Sequence, residues 1–267
     1  MKNENVEVLF PPTLTQVARE TAELVPEIRQ DLEEIFNGSF FFKPTIILMN
    51  DPERFRRMTG SPLIVGFAIP KKNLVVIDYT KIDNHLKFKY ILKHELCHLL
   101  LHEHLSQVPI PRWFDEGIAQ WVSEGVMDIL HDQKDALLPK AAFSDRMIPL
   151  GALNEGFPQN PNALRLAYEE SKNFIDYLIK SRGRKKLFEI LRLLKEGTPF
   201  RKAFFKALGT PLYEIEKEWL ASLKQNINWF AHLSYYLYEI IFALGGLILC
   251  YGFIRLWRKK KAYMEEE

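Results

Sequence analysis

Apolar positions recur with different periods along this chain, and the changes of period mark its predicted helices and strands. Over residues 13–36 they recur every three or four positions, which predicts an amphipathic helix. Residues 45–49 form a short apolar run, and similar runs follow at 63–69 and 74–78, on either side of a Pro-Lys-Lys-Asn segment. Short apolar runs bounded by turn residues are typical of strands, so the last two runs predict a hairpin.

A longer helical pattern occupies residues 83–104, where apolar side chains surround the helix on every face. Pro111 begins a second helical stripe that extends to about Val122. After a weakly periodic stretch, further helical patterns lie at residues 163–180, 184–195, 199–208 and 211–224. The chain is therefore predicted to be an α+β protein, with a sheet-bearing half over residues 1–104 and a helical half over residues 105–226.

Composition and charge limit the classes of function that this chain can have. The chain has 267 residues, of which 47% are hydrophobic and 26% charged, and these values are ordinary for a globular protein with a large core. A net charge of +2 argues against a surface dedicated to nucleic acid, so no nucleic-acid partner is expected. The 2 cysteines are too few for a disulfide framework.

The strongest chemical signal is the sequence His94-Glu95-Leu96-Cys97-His98 within the buried helical pattern. Because residues i and i+4 share one face of a helix, both histidines can bind the same metal ion, and the glutamate can hold a water on that metal. Zinc suits this arrangement, since it accepts neutral imidazole, keeps an open fourth position and lowers the pKa of its bound water to about 7. The alternative is a buried helix with two incidental histidines.

A third ligand decides the class of such a site, and two further histidines on the same helical pattern are candidates. His102 lies eight residues beyond His94, about 12 Å along a helix, which is too far for bonds of about 2 Å to one zinc. His104 has the offset of the third ligand in H-E-x-x-H-x-x-G-x-x-H proteases, in which Gly lets the chain leave the helix. Leu101 stands at that Gly position here, although Met147, close to a proline, could pass for the Met-turn of those enzymes. The third-His class therefore stays an alternative.

Glu116 is the favoured third ligand, because it lies in the next predicted helix and can bring a carboxylate to the metal from outside the first. Its neighbours Trp113, Gly117 and Ala119 complete a W-x-x-E-G-x-A element. The two elements together resemble the gluzincins, and most closely the peptidase MA-like metallopeptidases. In that family the Glu of the second element is the third zinc ligand and the Glu of H-E-x-x-H is the general base. The resemblance implies these roles for Glu116 and Glu95.

The likeness extends from about residue 40 to residue 224, through an A-Y-x-x-S helix at 167–171 and an A-F-x-x-A-L-G segment at 203–209. It implies a zincin-like fold, in which a small sheet lies over the active-site helix and a helical lobe follows. An edge strand near Gly66-Phe67-Ala68 would hold an extended peptide by strand addition. Tyr168 is the candidate donor to the charge that develops on the peptide carbonyl oxygen; the alternative is a core tyrosine with a satisfied hydroxyl.

The C-terminal segment has a different pattern. Residues 240–254 carry no charge, and the apolar stretch extends back to Leu233 with Glu239 as its single interruption. A helix needs about 20 residues to cross a bilayer, and aromatic side chains are enriched at both interfaces. The flanking aromatic residues are Trp229, Phe230, Tyr235, Tyr236, Tyr251 and Trp257. A single transmembrane helix over residues 229–257 is therefore predicted, followed by a charged tail at 258–267; an interfacial helix, or one that packs on a partner, is the alternative.

The predicted membrane anchor leaves its topology open. Basic residues follow it at 255 and 258–261, which argues for a cytoplasmic C-terminus and hence an extracytoplasmic catalytic domain. Export normally needs a signal peptide, yet residues 1–12 lack an apolar core of about 7–15 residues. Either a signal was removed or omitted, or the chain is tail-anchored with its catalytic domain in the cytoplasm. The extracytoplasmic placement is the expectation.

These features predict a membrane-anchored zinc metallopeptidase of the gluzincin type that acts on a peptide or protein substrate. Zinc bound by His94, His98 and Glu116 would activate a water, and Glu95 would take its proton and pass it to the leaving amine. A rival from another class is a catalytically silent zinc-binding domain that scaffolds partners at the membrane. Loss of Glu95 would indicate that rival, and the sequence retains this residue.

Overall fold

The computed structural model describes residues 1–39, 43–105, 108–123 and 137–265. Within the last helix, side chains are described up to residue 225, at 239 and over 241–257. The strands are β1 (Glu7–Leu9), β2 (Thr45–Met49), β3 (Gly66–Ile69) and β4 (Leu74–Asp78). The helices are α1 (Thr15–Phe36), α2 (Pro52–Thr59), α3 (His85–His104), α4 (Arg112–Ser123), α5 (Leu137–Phe143), α6 (Pro161–Arg182), α7 (Arg184–Lys195), α8 (Phe200–Leu208) and α9 (Leu212–Glu265). The prediction of a largely helical α+β chain with a small sheet is confirmed.

The strands of the described chain form one mixed sheet in the order β1-β2-β4-β3. β1, β2 and β4 are parallel to one another, whereas β3 runs antiparallel to β4 and lies at the edge. The predicted hairpin of β3 and β4 is thus confirmed. Asn73 turns it with φ at 48°, in the left-handed region that asparagine tolerates better than most residues. One side of the β3 backbone is paired by no described strand.

α3 is the buried helix that the hydrophobic pattern predicts. Asn84 caps it, since its side chain accepts a hydrogen bond from the backbone N–H of Lys87. Apolar side chains on several of its faces are buried, among them Phe88, Leu92 and Leu99. The helix packs against both β3 and α4. Its central turns, which carry the H-E-x-x-H sequence, therefore lie inside the protein.

α4 approaches α6 very closely, and one glycine makes this approach possible. A Cβ added to Gly117 would lie 2.5 Å from the backbone oxygen of Ser171, a distance that Cβ atoms essentially never show. Near the start of α4, Trp113 packs edge-to-face against Phe174 and Phe200, with ring centroids 5.1 and 5.8 Å apart. This packing fixes the position of the α4 turn that carries the predicted third ligand.

The described chain forms two compact units, Met1–Trp219 and a second that begins at Leu220. The first unit holds the sheet and helices α1 to α8, together with the first residues of α9. The second unit consists of the remaining part of α9. The residue boundaries that the sequence gives for a sheet-bearing and a helical half stay predictions.

The prediction of a single transmembrane helix over residues 229–257 is wrong, and so is the membrane localisation inferred from it. Among the described residues, no helix is both long enough and apolar enough to cross a membrane. The uncharged stretch between Glu239 and Arg255 covers residues 240–254, about 22 Å of helix, whereas the hydrocarbon core of a bilayer is about 30 Å thick. The aromatic side chains at positions 229–236 that suggested one interfacial belt lie outside the described part of the chain.

Candidate metal and active site

Two helices bring three side chains with metal-binding atoms into one buried group. His94 and His98 project from α3 with their Nε2 atoms 3.1 Å apart. Glu116 projects from α4, and its Oε2 lies 3.2 Å from Nε2 of His94 and 3.5 Å from Nε2 of His98. Within the described residues, these side chains are the one group of three or more His, Cys, Asp or Glu whose ligand atoms lie within 4.8 Å of one another. The structure thus brings together the three ligands that the sequence predicts.

The chemistry of this group fits a metal ion. Glu116 Oε2 is buried without a hydrogen-bond partner among the described residues, so an unpartnered oxygen converges with two imidazole nitrogens. Two imidazoles and one carboxylate are a ligand set that zinc uses in hydrolases. Burial alone would raise the pKa of Glu116, but the charges of Arg112 and His98 hold it well below its usual value. The carboxylate is therefore ionised, as metal binding requires.

Asp115 bridges two histidines of α3. Its Oδ1 accepts a hydrogen bond from Nδ1 of His98 at 2.8 Å, and its Oδ2 accepts one from Nε2 of His102 at 3.0 Å. Burial would raise the pKa of Asp115, but these two histidines bring it below its usual value. Because Nδ1 of His98 donates to a carboxylate, Nε2 of the same ring is left as the nitrogen that faces Glu116.

Arg112 gives the two oxygens of Glu116 different environments. Its guanidinium, one turn earlier on α4, forms an ion pair with Oε1, so Oε2 is the oxygen that faces the histidines. The same guanidinium lies beside the side chain of Tyr168, and its charge opposes part of the rise in the pKa of that hydroxyl. The attraction of Glu116 raises the pKa of Arg112 above its already high value, so this residue is always charged.

Glu95 lies on α3 directly against the edge strand β3. A Cβ added to Gly66 would lie 2.9 Å from Glu95 Oε1, so a side chain at this position would displace the carboxylate. Glu95 is 2% exposed, and burial raises its pKa to about 8. The group can therefore both bind and release a proton near neutral pH.

Tyr168 has a mixed environment that leaves both of its predicted roles open. Its ring packs edge-to-face against Phe157, with centroids 4.9 Å apart, and belongs to a small apolar cluster with Leu164. Its hydroxyl side lies beside Arg112, and burial raises the pKa of Tyr168 above its usual value. The ring of Tyr168 therefore belongs to the core, and its hydroxyl keeps its proton.

One cavity of about 180 Å³ joins the predicted site residues to the edge strand. The predicted residues that line it are His94, Glu95, His98, Glu116 and Tyr168. A second cavity is larger, about 740 Å³, but its lining includes none of these five residues and is rich in proline and aromatic side chains such as Pro109, Phe200 and Tyr213. Since the converging ligand atoms and the carboxyl with the raised pKa lie in the smaller cavity, that cavity is the candidate active site.

A comparison with protein families identifies the chain. The model of the Peptidase MA superfamily matches residues 60–225. The chain belongs to the Peptidase MA superfamily. The matched stretch contains α3, α4 and α6, and hence every residue of the predicted site. The family resemblance inferred from the two motifs is confirmed, and membership supports a metal-dependent peptidase at the level of the family.

Other comparisons of this Peptidase MA chain add little. A search of curated protein sequences found no match. Among solved structures, aminopeptidase A of Legionella pneumophila in complex with aspartic acid is similar, with 14% sequence identity and a TM-score of 0.49. The similarity covers 80% of this chain and 26% of that one, so the chain spans about a quarter of the length of that protein.

The roles of three further residues of this Peptidase MA site were not predicted from the sequence. Arg112 stands four residues before Glu116, so helical spacing could have paired them. The contact of Asp115 with the histidines depends on how α4 packs against α3, and the sequence carries no local signal for it. Gly66 could be recognised only once β3 was known to cross α3 at the Glu95 carboxylate.

Proposed function

We propose that this protein is a zinc-dependent peptidase of the gluzincin type, with Glu95 as the general base. The observation that carries the proposal is the shared cavity, in which Glu95 lies beside the converging ligand atoms of His94, His98 and Glu116. These three residues would hold the zinc. When bound, zinc polarises a peptide carbonyl and lowers the pKa of a bound water.

Glu95 is suited to moving a proton at neutral pH. It takes a proton from the attacking water and gives it to the amine nitrogen as the peptide C–N bond breaks. An acid–base group works best with a pKa near the working pH. Without zinc, burial raises the pKa of Glu95 to about 8, and the positive charge of a bound zinc would lower it toward neutrality. The absence of a side chain at Gly66 keeps β3 clear of this carboxylate.

The edge strand β3 binds the substrate in an extended conformation. Gly66, Phe67 and Ala68 line the cavity beside Glu95. A peptide that pairs with the free edge of β3 is held through its backbone, by strand addition, whatever its sequence. Such pairing would place one carbonyl group of the peptide between Glu95 and the three proposed zinc ligands, His94, His98 and Glu116.

Tyr168 and Arg112 supply hydrogen-bond donors to the same cavity. The Tyr168 hydroxyl keeps its proton at neutral pH and donates to the carbonyl oxygen as that oxygen gains charge. Arg112 lies beside the Tyr168 side chain, and its positive charge favours an orientation in which the hydroxyl oxygen faces the guanidinium. Donors fixed in advance stabilise the transition state more than the bound substrate.

Replacing the base alone tests the proposed chemistry. Glu95→Gln should keep the zinc content and the fold of the wild type but lose peptidase activity by about 10³-fold or more, because the amide cannot accept a proton. The measurement is cleavage of a broad peptide library, followed by kcat/KM on one substrate found there. Glu103→Gln, on the same helix, is the matched control and should leave both activity and zinc content unchanged.

Two results would contradict the proposal. Equal activity of wild type and Glu95→Gln would remove Glu95 from the mechanism. A wild-type protein that binds zinc but cleaves no peptide in the library would favour a silent zinc-binding domain that serves as a scaffold.

A further inference from the structure

We propose that His102 is a positioning residue for the metal site, which it serves by holding the Asp115 carboxylate that orients His98. The proposal rests on the proposed function only for the role of His98 as a metal ligand. His102 shares a helix face with the two predicted ligands, yet it belongs to no ligand group in the described chain. Within the described residues, its side chain hydrogen bonds to Asp115.

His98, Asp115 and His102 are joined by two successive hydrogen bonds that run outward from the site. Asp115 Oδ1 accepts from Nδ1 of His98 at 2.8 Å, and Asp115 Oδ2 accepts from Nε2 of His102 at 3.0 Å. Each oxygen of the carboxylate thus has one imidazole donor. Because His98 and His102 are one helical turn apart, α3 itself sets the spacing between the two donors.

The second donor matters because Asp115 is 3% exposed. A buried carboxylate oxygen that loses its partner carries a large desolvation penalty, and the group turns or shifts until another donor is found. With both oxygens engaged, the carboxylate plane is fixed. The fixed plane sets the ring orientation and the tautomer of His98, and so directs Nε2 of His98 at Glu116.

His102 lies at the outer end of these two hydrogen bonds, with 43% of its side chain exposed. Loss of a direct partner of a metal-binding histidine typically lowers metal affinity by about 10- to 100-fold. His102 acts one step further out and in partial contact with solvent, so we expect its loss to lower zinc affinity by about tenfold. A purely structural role on α3 would instead lower stability and leave zinc affinity unchanged.

Zinc affinity of the full-length chain tests the proposal, measured by competition with a chelator of known affinity. His102→Ala should bind zinc about tenfold more weakly than wild type. His102→Gln should stay within about threefold, because the amide nitrogen of Gln can donate from the position of Nε2. His104→Ala is the matched control, two residues further along α3, and should bind like wild type.

A double-mutant cycle shows whether His102 acts through Asp115. Asp115→Ala should bind zinc about 10- to 100-fold more weakly, and adding His102→Ala should weaken it no further. Unchanged affinity in His102→Ala, failure of His102→Gln to restore it, or additive losses in the double variant would each overturn the proposal. These results are separate from the proposed function, which fails if zinc-loaded wild type cleaves no peptide.

Discussion

Around the candidate site, the two oxygens of each ionised carboxylate face different partners. Asp115 accepts from His98 through one oxygen and from His102 through the other. Glu116 pairs with Arg112 through Oε1 and faces His94 and His98, the two predicted ligands, through Oε2. Buried charges are tolerated where they are paired, and these pairings leave one carboxylate oxygen open toward the ligand nitrogens. The group of His94, His98 and Glu116 is therefore held in place by the neighbouring Asp115 and Arg112.

The Tyr168 hydroxyl can be tested without disturbing its ring. Tyr168→Phe should lower kcat by roughly 10²–10³ with unchanged zinc content, because only a donor to the developing charge is removed. Tyr177→Phe on the same helix is the control, since that hydroxyl bonds to Glu218 at the surface. Steady-state kinetics and thermal unfolding of both variants distinguish a catalytic hydroxyl from a structural one. Reduced stability with unchanged kcat would assign Tyr168 to the apolar cluster with Phe157 and Leu164.

At this scale the sequence predicts which residues meet but not how their atoms are oriented. His94 and His98 are brought together by helical spacing, which is local, and Glu116 was recognisable from its W-x-x-E-G-x-A surroundings. The choice of the Glu116 oxygen that faces the histidines depends on Arg112 and on the packing of α4 against α3. Such long-range contacts leave no periodic signal in a sequence.

At the scale of elements, long periodic segments were predictable and short ones were not. The strong periods over α1 and α3 predict these helices to within a few residues of their observed bounds. β1 is three residues long and exists because it pairs with β2, some way along the chain. α5 has seven residues, too few to show a helical period. Elements of this length are stabilised mainly by tertiary contacts.

The close approach of α4 and α6 yields a prediction at this scale. Gly117→Ala places a methyl group 2.5 Å from the backbone oxygen of Ser171, so the helices must separate. Overpacking of this kind costs about 1–3 kcal/mol or more, and the shift of α4 should also weaken zinc binding through Glu116. Urea unfolding and zinc competition measure the two effects.

Gly151→Ala is the matched control for this substitution, because a Cβ there meets nothing within 4 Å. It should leave the free energy of unfolding within about 0.5 kcal/mol of wild type. Equal stability of Gly117→Ala and Gly151→Ala would show that α4 and α6 can move apart freely, contrary to the packing described.

At the scale of the whole molecule, a buried carboxyl outside the ligand group makes stability depend on pH. Burial raises the pKa of Glu170 from 4.5 to about 8; a hydrogen bond from the Ile148 amide opposes this, and the charges of Glu216 and Glu169 add to it. Between these values the folded protein holds a proton that the unfolded chain releases. The contribution of Glu170 to stability is therefore fully present below about pH 4.5 and is lost as the pH rises to about 8.

Glu170→Gln removes this dependence, because the amide stays neutral. The free energy of unfolding of the variant minus that of wild type should rise between about pH 5 and pH 8, by at most about 1.4 kcal/mol per pH unit. Urea unfolding of metal-free protein measures it, with Glu189→Gln as the control. A difference that does not change with pH would contradict the raised pKa.

The whole-molecule prediction that failed concerned the C-terminal helix. Its aromatic and basic residues resemble the flanks of a membrane span, yet no helix in the described part of the chain is long and apolar enough to cross a membrane. The family, by contrast, was predictable because two spaced motifs carry the predicted ligands and the predicted base together. Motifs that combine spacing with chemistry are more specific than composition of a segment.

The most direct test of the central claim is the zinc content and affinity of wild type beside Glu116→Gln and His104→Ala. The claim is that His94, His98 and Glu116 hold one metal ion, so wild type should contain about one zinc per chain. Glu116→Gln should lose affinity by about 100-fold or more, because a charged ligand becomes a neutral amide, and His104→Ala should bind like wild type. Retention of zinc by Glu116→Gln together with its loss in His104→Ala would contradict the ligand assignment and move the protein to the class with a third histidine.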